Sequence, residues 1–365
     1  MELRPNRAVQ KVLISSTCRF YGEFEAPDLL ISQAWSGLFQ GKLPTERFGE
    51  ESRNAFVCAF ETTPEEPGPG VAVPSYSGYG EFVCICLAVL FGKRFDSHGL
   101  LENSGMFLLP DLRAYGQPSA RWLPQNKNDA RVDYGIPLNL TEISRVQRLL
   151  TGGHESEKAV RAFAGAAKFY LQALQSIEHD PEVAYLHLIT AGEILSNFHE
   201  YEKAELLDDD AKKLLGRIRS SSSDGHELAE AVAGRLLAIK KRFVRTITDL
   251  VDASFFSRTQ SSAPYAALKE EEFEQRIKAA YDLRSRYVHT GIPFGRWIAM
   301  PMVPGAEVMF GSPVLEDAEL AKIIARAPNY TGLERVIRYC LLRFAEANGL
   351  FNPMNVLVST QTSET

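Results

Sequence analysis

An arginine, a serine and a histidine lie within six residues of one another in YDLRSRYVHTG, the stretch from Tyr281 to Gly291. Histidine exchanges a proton near neutral pH. Arginine stays charged, and its planar fork can hold two oxygens of an anion such as phosphate. Arg284, Ser285 and His289 are therefore equipped to grip an oxyanion and move a proton beside it. The chain has no HExxH motif and no clustered Cys/His set, so neither a metal nor another cofactor is expected.

The spacing sharpens the question. From Glu271 onward, Phe273, Ile277, Ala280, Tyr281, position 284 and Tyr287–Val288 fall on one helical stripe. Position 284 interrupts an apolar row with a guanidinium, which is costly to bury unless it is paired or lines a polar cleft. His289 follows about 140° around the helix and about 7.5 Å along it, while Ser285 and His289 share a face. All three can edge one groove if another helix packs alongside. Two plainer readings compete: an arginine can lie along a stripe with its head in water, and a histidine ahead of a terminal glycine can act as a helix-end cation. Spacing alone leaves these alternatives open.

The elements that must position this stretch are helical. From Asn139 the sequence takes on a helical period with capping signals: NLTEISRVQRLLTGG with Asn139 or Thr141 as cap, SEKAVRAFAGAAKFYLQALQSIEHD, and PEVAYLHLITAGEILSNFH with Pro181 at its start. Next come a short charged helix around ELLDDDAKKLLGRIRS and a long pattern from His226 to Phe256, broken near Asp249–Ala253. The helix of interest runs over 271–291, GIPFGRWIAMPMVPGAEVMFGSP reads as irregular, and a final helix spans Gly332–Gly349. Together these predict a bundle of five to six helices over residues 140–350, with residues 351–365 as a flexible tail.

Residues 1–139 differ in texture, being rich in Gly, Pro, Phe, Tyr and Val. Lys11–Phe24 and Ser52–Thr63 read as strands, and KRFDSHGLLENSG as a loop. FVCICLAVLFG reads as a buried strand or core helix, about half the length of a membrane span. SYSGYG reads as a turn. The expected class is α+β, with a β-rich or mixed domain of unknown role ahead of the all-α bundle. With 365 residues, 45% hydrophobic and 24% charged, the chain has the composition of a folded soluble protein long enough for two domains. Its net charge of −6 does not mark a nucleic-acid binder, so any such site must be a local patch. Five sparse cysteines argue against a disulfide framework, and the N-terminus has no apolar signal region; a cytoplasmic location is expected.

The stretch YDLRSRYVHTG resembles the signature of HEPN domains, in particular the Apea-like HEPN group, in which an arginine, a polar residue and then a histidine end a late helix of an all-α bundle. AYLHLITAGEILSNF, carrying Glu193, is similar to an earlier helix of the same group. The resemblance covers roughly residues 160–344 and leaves residues 1 to about 140 untouched. It implies a metal-independent endoribonuclease, in which Arg284 grips the phosphate, His289 moves protons or orients the phosphate, Ser285 supports them and Glu193 holds Arg284 across a helix interface. It also implies a homodimer that pairs the motif helices, so that two copies of each residue line one cleft. An antiphage or abortive-infection role follows from the same resemblance, with the N-terminal domain sensing a trigger, scaffolding assembly or restraining the nuclease. One departure is Gly291, which stands where some toxin members carry a modifiable tyrosine.

An RNA substrate requires a basic approach surface. AIKKRFVR supplies Lys240, Lys241, Arg242 and Arg245 around Phe243, and Arg286 and Arg296 flank the motif; Phe294 and Trp297 can stack on a base or simply pack. A charge run is equally a solvated helix face. The competing functional reading is a non-catalytic HEPN module binding nucleic acid, nucleotide or a protein partner. No partner membrane is expected.

Overall fold

In the computed structural model, the residues described are 7–34, 53–63, 75–115, 117, 119–153, 156–201, 209–220, 224–229, 239–299 and 303–352. Val12, Leu13 and Ile14 are buried on both faces of strand β1 (Ala8–Ser16), which therefore lies inside a sheet rather than at its edge. With β2 (Phe24–Ala26), β3 (Leu29–Gln33), β4 (Asn54–Thr62), β5 (Phe95–Asn103) and β6 (Met106–Phe107), it forms an antiparallel sheet in the order β2-β3-β4-β1-β5-β6. Register pairs Val12 with Cys58 and Ile14 with Phe56. β5 corrects the expected loop: its Asp, Ser, His and Gly disguise a strand that pairs with β1 from Ser16↔Phe95 to Lys11↔Glu102.

FVCICLAVLFG belongs to helix α1 (Ser77–Phe91), which lies against the sheet. A Cβ on Gly80 would stand 2.4 Å from Val12 Cγ1, so glycine permits the close approach, and the Phe60 and Tyr79 rings meet at 4.1 Å. Ser77–Gly80, expected as a turn, form the first turn of this helix. Cys84 and Cys86 consequently leave it about 200° apart; both are buried because α1 is enclosed by core from Val83 to Phe91.

The helical region starts irregularly. Asn139 accepts from the Thr141 amide at 3.1 Å, but the expected helix splits into a 3-10 segment, Leu140–Arg145, and one turn, Gln147–Leu150. Helices α2 (Glu157–Ser176) and α3 (Pro181–Phe198) follow as a packed pair capped by Ser156 and Asp180. Then come α4 (Asp209–Arg219), α5 (Ile239–Leu250), α6 (Glu270–Thr290), α7 (Ala318–Arg326) and α8 (Tyr330–Ala347). α7 was not expected, although Asp317 caps it by accepting from the Glu319 and Leu320 amides, and Leu320 and Ile324 sit at helical spacing. The preceding Gly- and Pro-rich run masks that signal. Phe351, with which the expected tail begins, is buried against Phe163; residues from 353 lie outside the described set.

α8 is the axial helix, and its buried residues include Glu334, Arg335 and Arg338. Arg131 reaches Glu334 at 2.6 Å, and the Tyr170 hydroxyl donates to the same carboxylate at 2.5 Å. Arg338 pairs with Asp133 at 3.0 Å and donates to the Val89 and Leu90 carbonyls at the end of α1. Arg335 pairs with Glu307 at 2.8 Å, and that carboxylate also accepts from the Gln260 and Leu268 amides. Lys93 donates to the Pro124 and Lys127 carbonyls. The Arg131, Arg338 and Lys93 bonds form a dry seam between the α1 end, the 120–135 segment and α8, while Arg335 ties α8 to Glu307; one hydrophobic core is continuous across both. The chain is also continuous across position 139: the Tyr21 amide donates to Leu138 O, and the Leu140 amide donates to Tyr21 O.

Candidate functional site around Arg284 and His289

α6 begins with Glu270, Glu271 and Glu272, favourable at a helix N-terminus, and ends at Gly291, whose φ of +67° accommodates the left-handed cap. Phe273, Ile277, Ala280 and Tyr281 are the buried part of its stripe. At the next step the stripe emerges from the core: the Arg284 side chain is 27% exposed, and it donates to Glu193 Oε2 on α3 at 3.4 Å. Tyr281 donates its hydroxyl to Glu193 Oε1 at 2.9 Å, and the Arg284 guanidinium lies 5.6 Å from the Tyr281 ring centre. Burial, and then the neighbouring carboxylate, push the Tyr281 hydroxyl up to about 12, so it remains a donor at neutral pH. Glu193, 14% exposed, thus receives one bond from each of two α6 side chains one turn apart. Next to it, Gly192 admits Phe243 of α5, whose ring stands 5.4 Å from that of Tyr281.

His289 is different. It is exposed in the last turn of α6, and its ring has no hydrogen-bond partner among the described residues. Within one chain the helix carries Arg284 and His289 in directions about 140° apart: Arg284 faces α3, while His289 continues the line of Asp282, seven residues earlier. Ser285 is half-buried on the His289 side. No single-chain groove joins Arg284 to His289 through a hydrogen bond among the described residues. Beside His289, Val288 is 54% exposed and Ile292 is also exposed, an apolar surround for a polar ring.

The loop after His289 is clamped from α3 by a residue that spacing did not single out. Glu182 Oε1 accepts from the Phe294 amide at 3.0 Å and the Gly295 amide at 2.7 Å. A Cβ at Gly295 would stand 2.4 Å from Glu182 Oε2. Tyr281 was equally missed, though its place one turn before Arg284 was a usable signal. Phe294 is buried between Tyr185 and Tyr287 and is not available to a base. Trp297 is half-buried with Arg296 4.8 Å from its ring centre.

The basic residues mostly have partners. Lys240 pairs with Asp282 at 2.5 Å, Arg242 donates to Asn197 at 2.9 Å, and Arg245 pairs with Asp249 at 2.9 Å; Lys241 is half-buried and also engaged. Phe243, expected between them as an interleaved aromatic, is fully buried. Arg286 is anchored to Asp317 and Glu319, fastening α6 to the start of α7. A groove of about 400 Å³ between α5, α6 and α7 is lined by Lys240, Lys278, Asp282, Glu319, Lys322 and Arg326.

Compared with known proteins, the chain matches no family model, no curated protein and no solved structure. No described helix is long and apolar enough to cross a membrane.

Proposed function

We propose that the protein is a metal-independent endoribonuclease of the HEPN type, acting in the cytoplasm as a pair of chains joined through the C-terminal end of α6. The observation that carries this reading is the pairing of opposites on one short segment: Arg284 held by Glu193 and Tyr281, and His289 exposed with apolar Val288 and Ile292 around it. One chain turns these two groups apart, and a second copy across an apolar contact supplies the missing partner of each. Cleavage would proceed by attack of the ribose 2′-oxygen on the adjacent phosphorus. The 2′-hydroxyl proton passes to a base, the bond to the 5′-oxygen breaks, and that oxygen takes a proton from an acid. His289 side chains from the two copies suit the proton steps, and Arg284 suits the negative charge that builds on the phosphorane oxygens. Ser285 supports the phosphate. The N-terminal sheet unit, joined to α8 by the buried seam, would couple a trigger to the pair in an antiphage role.

The test is incubation of the purified chain with total RNA in EDTA, wild type beside Arg284→Ala and His289→Ala. Cleavage by wild type alone is expected, and cleavage persisting in both variants would overturn the site. If no protein cleaves, growth arrest on expression of wild type but not His289→Ala separates an untriggered nuclease from a non-catalytic binding module.

A further inference from the structure

The least compensated apolar surface among the described residues lies at the edge of the sheet, on β6. Phe107 is 87% exposed and Leu109 is 99% exposed, and Met106, Leu108 and Leu112 beside them are also exposed. The run Ser104–Pro110 contains no charged residue, so this edge lacks the charges that normally keep sheet edges apart.

The backbone says what such an edge can accept. Ser104 (φ +51°) and Gly105 (φ +89°) make the two-residue turn between β5 and β6, with both central residues left-handed as a type I′ hairpin requires. Such a turn makes Asn103 and Met106 a hydrogen-bonded pair, and Leu108 donates to Leu101 O at 2.9 Å. By the strict alternation of an antiparallel ladder, Met106 and Leu108 spend their amides and carbonyls on β5, while those of Phe107 point outward. An antiparallel strand centred on Phe107 would complete the ladder. A two-fold axis there sets Phe107 opposite Phe107 and Met106 opposite Leu108, and no charged residue between 104 and 110 meets its own kind.

We propose that β6 is a self-pairing edge: two copies of this chain join there, antiparallel, with Phe107 at the two-fold axis. This contact is separate from the α6 pairing of the proposed nuclease and does not depend on it. A chain with both two-fold contacts assembles beyond a dimer.

The test uses the full chain. A hydrogen-bonded antiparallel pair holds its Cα atoms about 5.5 Å apart, inside the roughly 4.4–6.8 Å that a disulfide spans. All five native cysteines are buried, so an added thiol reports without background. Phe107→Cys should form a covalent dimer on mild oxidation at least tenfold faster than Tyr265→Cys, an exposed site elsewhere, and should still do so in a Val288→Asp background that disables the α6 contact. Mixed Met106→Cys and Leu108→Cys proteins should cross-link to each other faster than either does alone. Equal rates at Phe107 and Tyr265 would overturn the proposal. So would a wild-type mass in sedimentation equilibrium unchanged by Phe107→Asp, or wild-type binding to phosphatidylcholine vesicles that Phe107→Asp abolishes, which would make the occupant lipid.

Discussion

Two arginine–carboxylate arrangements in this chain are built from the same chemistry and end in opposite conditions. Arg131–Glu334, Arg338–Asp133 and Arg335–Glu307 are dry, at 2.6–3.0 Å, each supplemented by backbone or hydroxyl partners. Arg284–Glu193 is half-wet, at 3.4 Å, with one tyrosine in support. A dry pair is committed: loss of one partner leaves a buried charge with nothing to answer it. A half-wet pair contributes little to stability and leaves its guanidinium able to turn to an incoming anion. The comparison therefore separates arginines that hold the fold from Arg284, which reaches solvent near the end of α6.

The largest effect should come from breaking the dry side. Glu334→Ala strands Arg131 and the Tyr170 hydroxyl, and urea unfolding should show a loss of about 3–5 kcal/mol; a loss no larger than that of Glu193→Ala would dissolve the comparison. Next is Lys93, whose ammonium is brought down to about 8 from 10.5, chiefly by burial. Below pH 8 both folded and unfolded chains carry the proton, and the folded state bears the full cost of burying it. Between about 8 and 10.5 the folded chain has lost the proton and the unfolded chain keeps it, so stability rises with pH, by on the order of 3 kcal/mol over the window. A stability–pH profile of wild type against Lys93→Met should show the variant lacking that rise.

Smaller effects sharpen the wet side. Tyr281→Phe removes one donor from Glu193 and should cost about 1 kcal/mol in chemical denaturation. Arg284→Ala should cost less than about 1 kcal/mol while RNA cleavage falls by roughly 100-fold or more, as for loss of one charge-stabilising donor. His289→Ala should leave stability within about 0.5 kcal/mol and abolish cleavage, because its ring has no hydrogen-bond partner among the described residues of the folded chain.

Much of the bundle was readable because its signals are local. Ser156, Asp180–Pro181 and Gly291 mark helix ends through bonds made within a few residues, and the stripe Phe273–Ile277–Tyr281 repeats at the helical period. Glu193 was singled out by the resemblance of its helix to a HEPN helix, and the structure sets it against Arg284. Local signals misled where partners are distant. Phe95–Asn103 looks like a loop until β1 supplies its ladder.

The sequence by itself determined which residues can do chemistry, that the C-terminal part is helical, and that position 284 breaks an apolar stripe, since charge, period and capping are properties of neighbouring residues. Only the tertiary structure decided that Arg131, Arg335 and Arg338 are core while Arg284 reaches solvent, that Tyr281 and Glu182 brace the two sides of the motif, and that β6 ends the sheet with an uncharged edge. Those outcomes depend on which distant surface each side chain meets, and burial, which sets the strength of every one of these charges, is a property of the packed chain alone.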